Sequence, residues 1–366
     1  MFVARRDLAF AKGRFALIAT VVAMITVLVG FLTGLTGGLA GQNVDAVLSW
    51  NADRVVLSAP SGSAQPAFST SNLTQKQVDA WKATPGVDSI DAIGLTQIGA
   101  SHGNTTAGIA LISGAPGAGT GPGAPDDAAA PLAGQVILSE DAAKGLGAAA
   151  GDTISVAGQE LRVEAVTGTG HYSHVPLASV APSTWKTVAQ RTGVADDVVA
   201  SVLSVHGKVS GDAVSASDDA AATTTLSGLG ALTAVGSFRS EIGSLGLMIG
   251  LLLGISALVV GAFFTVWTLQ RKGDVAILKA LGTPTSALRR DALGQAGIVL
   301  ILGIGVGLAI VVGVGTLISG SLPFILSPLT TLGPGLIMAV LGLAGAAVAL
   351  RSVTQADPLT ALGSNR

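Results

Sequence analysis

Residues 292–319 read ALGQAGIVLILGIGVGLAIVVGVGTLIS, 28 residues without a charge. The next charged residue is Arg351, so the charge-free stretch covers 292–350, 59 residues in all. A helix needs roughly 20 apolar residues to cross the hydrocarbon of a bilayer, so this stretch is long enough for two crossings and a turn. Pro323, Pro328 and the Gly333-Pro334-Gly335 triplet mark the turn. Two more charge-free stretches lie upstream, at 15–44 and 242–270, each with room for one crossing. Charged residues make up only 11% of the chain, against about 25% in soluble domains. The expected architecture is an α-helical membrane protein with four transmembrane helices, at 15–40, 242–270, 292–319 and 334–350. A mixed α+β extracytoplasmic domain, 41–241, lies between helices one and two, and a short outer loop, 320–333, joins the last two.

Charge gives the orientation. Residues 1–14, 271–291 and 351–366 together hold eleven Lys and Arg against four acids. The rest of the chain, nearly all of it 41–241, holds nine against eighteen. Positive charge beside a span is retained in the cytoplasm. The expectation is a multi-pass protein of the cytoplasmic membrane, with a cytoplasmic N-terminus (1–14), a cytoplasmic segment at 271–291 and a cytoplasmic C-terminus (351–366). Arg5 and Arg6 precede the first span, but its apolar run exceeds the roughly 7–15 residues of a signal-peptide core, so it reads as an uncleaved anchor. No cysteine is present, which removes disulfides, thiol chemistry and cysteine-ligated metals.

In the inserted domain, Arg54-Val-Val-Leu-Ser reads as a strand. Residues 75–82 read as a helix capped by Thr74 and ended at Pro85-Gly86. Val136-Ile-Leu-Ser leads into a helix over 140–146, and strands at 152–156 and 161–166 flank an Ala157-Gly158 turn. Residues 183–190 and 212–223 read as helices, and 114–133 as a Gly/Ala/Pro-rich spacer.

Several of these phrases, with the order of one helix, a large domain and three helices, resemble the MacB/FtsX-like permease superfamily of ATP-binding-cassette exporters. The resemblance is carried by Leu73-Thr-Gln-Lys-Gln-Val-Asp-Ala-Trp-Lys-Ala-Thr-Pro-Gly-Val, by Val136-Ile-Leu-Ser-Glu-Asp-Ala-Ala-Lys-Gly-Leu-Gly with Gly151-Asp152-Thr, and by Leu161-Arg-Val-Glu-Ala-Val. Inside the membrane boundary it is carried by Arg271-Lys-Gly-Asp-Val-Ala-Ile-Leu-Lys-Ala-Leu-Gly282 and by Gln355-Ala-Asp-Pro358-Leu-Thr-Ala-Leu362. The family usually has Glu where Asp274 stands. Within the superfamily the layout is similar to the HrtB-type haem-exporter permeases.

The resemblance implies a permease subunit that expels haem or another amphipathic compound and is itself no enzyme. The sequence agrees on one point: it contains no Gly-x-x-x-x-Gly-Lys-Ser/Thr phosphate loop, since Val202 stands where Gly207-Lys208 would need the first glycine. ATP would be bound by a separate cytoplasmic ABC ATPase. The resemblance makes residues 274–281 the coupling helix for that partner, with Asp274, Ile277, Leu278, Lys279, Leu281 and Gly282 as contact residues. The plain alternative is an ordinary loop helix.

Gly30, Gly34 and Gly38 in helix one, and Gly246, Gly250 and Gly254 in helix two, recur every fourth residue. Such ridges let helices approach closely in lipid. On spacing they suit packing within one chain as well as a homodimer; the resemblance favours a second copy of the chain. Glu241, at the outer mouth of helix two with Phe238 and Arg239 before it, is the candidate substrate site, because an ionisable group at the lipid boundary is expensive and often functional. A carboxylate there suits a haem iron, and Arg239 suits a propionate. The competing reading makes both ordinary interfacial residues. His171 and His174 stand at a metal-binding spacing but enter a strand, a poor scaffold for shared ligation. His102 reads as a turn residue and His206 as a strand residue. No other metal site is expected, nor any nucleic-acid partner; membrane lipids surround the spans. The alternative function is an FtsX-like signal transmitter that activates an extracytoplasmic protein without transport.

Overall fold

The computed structural model describes residues 12–62, 64–115, 120–122, 130–270, 282–318 and 322–354. The chain divides into two compact units: a membrane unit, Met1–Gly38 with Gly243–Arg366, and an inserted unit, Leu39–Ile242. Helix α1 (Lys12–Ser49) opens the order. It is followed by β1 (Arg54–Ser58), β2 (Leu73–Thr74), α2 (Gln75–Lys82), β3 (Ser89–His102), β4 (Thr105–Ser113) and β5 (Gln135–Leu138). Next come α3 (Glu140–Leu146), β6 (Thr153–Val156), β7 (Gln159–Val166), β8 (His171–Tyr172), β9 (Val175–Val180) and α4 (Pro182–Arg191). The inserted unit continues through β10 (Val198–Ala200), β11 (Val202–His206), α5 (Gly211–Ala221), β12 (Thr223–Leu226) and α6 (Leu229–Thr233). Helices α7 (Gly236–Gln270), α8 (Thr285–Ile318) and α9 (Pro328–Thr354) follow.

Among the described residues, four helices are long and apolar enough to cross a membrane: Phe15–Ser49, Gly236–Trp267, Thr285–Ile318 and Pro328–Val348. The chain is a membrane protein with an α+β domain between its first and second spanning helices. The helices are longer than the apolar runs alone. Helix α1 continues past residue 40, through Gly41, because Val44, Val47 and Trp50 recur at near-helical spacing with buried side chains. Helix α7 starts at Gly236, and the inner part of 285–291 is already helical in α8. Helix α9 starts before the Gly-Pro-Gly triplet: the Ser327 hydroxyl accepts from the Thr330 N–H at 3.1 Å, and Pro328 takes the first helical position, where a missing N–H is harmless. Pro334 then lies inside the helix, where it cannot donate to the residue 330 carbonyl.

In the membrane unit, Phe15, Ile18, Val22 and Val29 of α1 pack with Val260, Phe264 and Trp267 of α7, Val299 and Ile304 of α8 and Met338 of α9. Small residues set the spacing. A Cβ on Gly303 would lie 2.8 Å from the Ala19 carbonyl, and one on Gly345 would lie 2.9 Å from the Ala257 carbonyl.

In the inserted unit, β3 does double duty. Its first part, from Ser89 to Ile93, pairs antiparallel with β11 and extends through β1 to β12. Its second part pairs with β4 and, at Ala100–Ser101, with β6. The pairings β3–β4–β9–β5–β7–β6–β3 close a six-stranded ring. Ile109, Leu111, Val136, Leu138, Ile154, Leu161 and Val163 fill it, with α3 and α4 packed on the same cluster through Leu146, Trp185 and Val188. Trp185 lies so close over Gly94 that a Cβ there would come within 2.2 Å of the indole. The Trp185 Nε1–H donates to Thr96 Oγ1 at 3.0 Å. Helix caps follow the sequence: Ser139 accepts from the Ala142 N–H at the start of α3, and Gly147, at φ 63°, ends it.

Candidate functional site

The two central residues of the turn between β8 and β9, Ser173 and His174, have φ of 51° and 65°. Both are left-handed, as a two-residue type I′ hairpin requires. The equivalent β6–β7 turn uses Ala157-Gly158 at 48° and 72°. The 173–174 turn has no glycine, and a non-glycine residue costs roughly 1–2 kcal/mol in that conformation. It is anchored by contacts from its tip. The Ser173 N–H donates to the Asn43 carbonyl at 3.0 Å, and the His174 N–H to the Gln42 carbonyl at 3.1 Å. The tip therefore sits on the last turns of α1.

The side chains of the tip continue the contact onto α7. His174 Nε2 lies 2.5 Å from Glu241 Oε1. Asn43 Nδ2 lies 2.8 Å from Glu241 Oε2, 3.1 Å from the Leu39 carbonyl and 3.0 Å from His174 Nε2. A nitrogen that donates to a carboxylate cannot also accept, so the His174 Nε2–H serves Glu241, and the two Asn43 amide hydrogens serve Leu39 and Glu241. The Ser237 hydroxyl donates to Asn43 Oδ1. The Ser173 hydroxyl lies 2.6 Å from Ser237 Oγ and completes the chain. Ser173, Ser237, Asn43, Glu241 and His174 thus form one connected network. Bonds to a charged carboxylate are its strongest members. The His174 and Glu241 side chains are 30% and 31% exposed, so the pair is within reach of an incoming group. Every residue of the network belongs to the inserted unit, Leu39–Ile242.

The residues grouped with Glu241 by sequence separate in space. Phe238 is 8% exposed and packs into a core with Val44, Val47 and Trp50. It braces the first turn of α7 and offers no free ring. Arg239 is exposed and its Nη1–H donates to Gln65 Oε1. His171 and His174 also take separate partners. His171 Nε2 lies 3.3 Å from Asp141 Oδ2, and its Nδ1 lies 2.9 Å from the Thr169 carbonyl. Burial pushes the His171 pKa below its usual value, with Asp141 opposing the shift. Among the described residues, no three His, Asp or Glu side chains gather as a metal-binding group. His102 ends β3 beside Asp152 at 3.8 Å, and His206 ends β11 beside Asp91 at 3.2 Å. Sequence reasoning missed Asn43 and His174 as partners of Glu241, and Ser237 and Ser173 as the residues that extend the network from Asn43. The available signal was the helical spacing of Val44, Val47 and Trp50, which carries α1 past Asn43.

The two glycine ridges differ. A Cβ on Gly30 would lie 2.7 Å from Val311, one on Gly34 2.4 Å from the Phe324 ring, and one on Gly38 1.8 Å from the Pro323 carbonyl oxygen. The first ridge is filled by its own chain. A Cβ on Gly246, Gly250 or Gly254 would meet nothing within 4 Å among the described residues, and Leu247, Met248, Leu251, Ile255 and Leu258 on the same helix are exposed. Of the coupling residues, Asp274, Ile277, Leu278, Lys279 and Leu281 lie outside the described residues. Gly282 is exposed with φ 88°, a conformation suited to glycine, and leads through Pro284 into α8.

Residues 246–358 match the FtsX-like permease C-terminal family. A Staphylococcus epidermidis protein named as a hemin transport system permease, HrtB, is 26% identical over 132 residues, 36% of this chain and 38% of that protein. Its Staphylococcus haemolyticus counterpart is 31% identical over 129 residues, 35% of this chain and 37% of that protein. The matches thus span well under half of those relatives' length. The inserted unit has weaker likenesses: the extracellular domain of the transporter YknZ from Gram-positive bacteria (18% identity, 47% of this chain, 98% of that one, TM-score 0.32) and the periplasmic region of MacB from Actinobacillus actinomycetemcomitans (13%, 52%, 92%, 0.32). Values of that size add nothing to the architecture read directly from the chain. The family match lies within the membrane unit, whose residues 246–358 are similar to the FtsX-like permease C-terminal domain.

Proposed function

We propose that the chain is the permease subunit of an ATP-driven exporter and that its substrate is haem or a related amphipathic compound. The observation that carries this reading is the FtsX-like permease domain over 246–358 in a chain without a phosphate loop. A permease that cannot cradle ATP needs a separate ATPase. Residues 274–282, on the positively charged face, are its docking segment, and both termini lie on the same cytoplasmic side. The inserted unit then lies outside. A second copy of the chain completes the transport path. The Gly246/Gly250/Gly254 ridge of α7, uncovered among the described residues, supports that seam, because small-residue ridges in lipid bind helices. Glu241, at the outer end of the same helix, is the substrate carboxylate; Arg239, which turns to Gln65, is left out of the site.

The test is an absorbance titration of the purified chain with ferric haem, wild type against Glu241→Ala. Saturable, stoichiometric binding lost in the variant supports haem at Glu241. Equal, non-saturating binding removes haem from the reading, and a stable extracytoplasmic protein partner would then favour the signal-transmitter alternative.

A further inference from the structure

We propose that His174 is a displaceable cap on Glu241: the β8–β9 turn holds the carboxylate at rest and lets go when Glu241 binds a cationic or metal-centred ligand. The inference rests on the reading of Glu241 as the ligand-binding carboxylate and adds how access to it is controlled. Each oxygen of Glu241 already has a donor. Oε1 takes the His174 Nε2–H at 2.5 Å, and Oε2 takes Asn43 Nδ2 at 2.8 Å. A ligand that approaches this carboxylate meets a charge-assisted hydrogen bond and has to replace it.

The two donors are not equally easy to move. Asn43 is part of helix α1, and its amide is fixed at both ends, by the Leu39 carbonyl and by Ser237. His174 is carried on the tip of a two-residue turn whose central residues, Ser173 and His174, are both non-glycine at positive φ. That turn gives up backbone strain when it opens. The tip is also gripped by the Ser173 and His174 N–H bonds to the Asn43 and Gln42 carbonyls and by the Ser173–Ser237 hydroxyl contact, and its base by the β8–β9 pairing. Of these two donors, the more movable is therefore the one on the turn. Release breaks only the hydrogen bond between His174 Nε2 and Glu241 Oε1 and leaves the covalent structure unchanged. The exposure of both side chains, near one-third, lets a ligand reach the pair from solvent or from the membrane boundary. The histidine spacing that suggests shared metal ligation by His171 and His174 finds another use here, since His171 turns to Asp141 and His174 to Glu241.

The test uses the full chain in lipid nanodiscs, titrated with ferric haem, as wild type, His174→Asn and Glu241→Ala. Hydrogen exchange at the Ser173 and residue 174 amides is followed on the same samples without haem. Asparagine tolerates the left-handed turn but is too short to reach Glu241. Glu241→Ala should not bind, and His174→Asn should bind on the order of tenfold more tightly than wild type, because a hydrogen bond to a charged group no longer has to be broken. Both variants should exchange the two amides faster. Weaker binding by His174→Asn, with binding lost in Glu241→Ala, would overturn the cap and make His174 a helper of the site, while the Glu241 reading stands. Equal binding by wild type and Glu241→Ala would remove Glu241 as the ligand group and the cap with it. Unchanged exchange in Glu241→Ala would also overturn the proposal, since the contact would not then be holding the turn.

Discussion

Substituting Gly38 by alanine separates the two glycine ridges by experiment. The added Cβ would stand 1.8 Å from the Pro323 carbonyl oxygen and 2.3 Å from its carbon, where ordinary contact begins at 3.4 Å. The obstacle is backbone, so no rotamer change relieves it. Helix α1 and the segment before α9 have to part, which also strains the Ile325 N–H bond to the Gly34 carbonyl, 3.1 Å long. Overpacking of this kind costs about 1–3 kcal/mol, occasionally more, and alanine's better helix propensity returns up to about 1 kcal/mol. The net expectation for Gly38→Ala is a loss of about 1–2 kcal/mol. Gly250→Ala meets no clash among the described residues and should leave the fold as stable as wild type or up to about 1 kcal/mol more stable. Its effect should fall on assembly, with a smaller dimer fraction. Thermal unfolding in detergent, read with light scattering on the same samples, measures both. Wild-type melting of Gly38→Ala would refute the packing of α1 against the 322–326 segment. An undiminished dimer in Gly250→Ala would refute the α7 seam.

Other perturbations test the inserted unit. Asn43→Ala removes the amide shared by Leu39, Glu241 and Ser237 and should destabilise that unit by about 1–3 kcal/mol; chemical denaturation compared with wild type checks it. His171 is held neutral by burial, so its folded pKa lies below the unfolded value of about 6.5. Below that pH the unfolded chain binds the proton more readily than the folded one. This contribution to stability is therefore complete above about 6.5 and is lost as pH falls toward the lowered folded pKa. Melting curves across this range should show a steeper acid loss in wild type than in His171→Gln. Ala157→Asn creates an Asn-Gly turn at two positions that already have positive φ and should stabilise the β6–β7 hairpin by about 0.5–1 kcal/mol; a rise in melting temperature is the readout.

The spans were legible because lipid solvation demands long apolar runs, and the 292–350 stretch admits few other readings. Short elements with strong caps were legible too: Thr74 before α2, and Ser139 and Gly147 around α3, announce their helices locally. The β3–β4 ribbon was not. Its ring-closing contacts join β3 to β6 across some fifty residues of sequence, and no local pattern encodes such pairing. Helices run past the apolar spans where polar residues continue a buried helical stripe, as Asn43 does between Val44 and the glycines of α1. Glu241 stood out because charge at a membrane boundary is costly. Its partners did not, because His174 reaches it only through a glycine-free type I′ turn folded back onto two helices.

The central claim is that this chain is an export permease driven by an ATPase it does not contain. It is tested most directly by isolating the tagged chain from its own membranes in mild detergent, measuring ATP hydrolysis and adding ferric haem. The prediction is hydrolysis by the co-isolated complex that rises with haem, and none by the chain stripped of its partner. Hydrolysis by the chain alone, or a co-isolated complex with no ATPase activity, would contradict the claim.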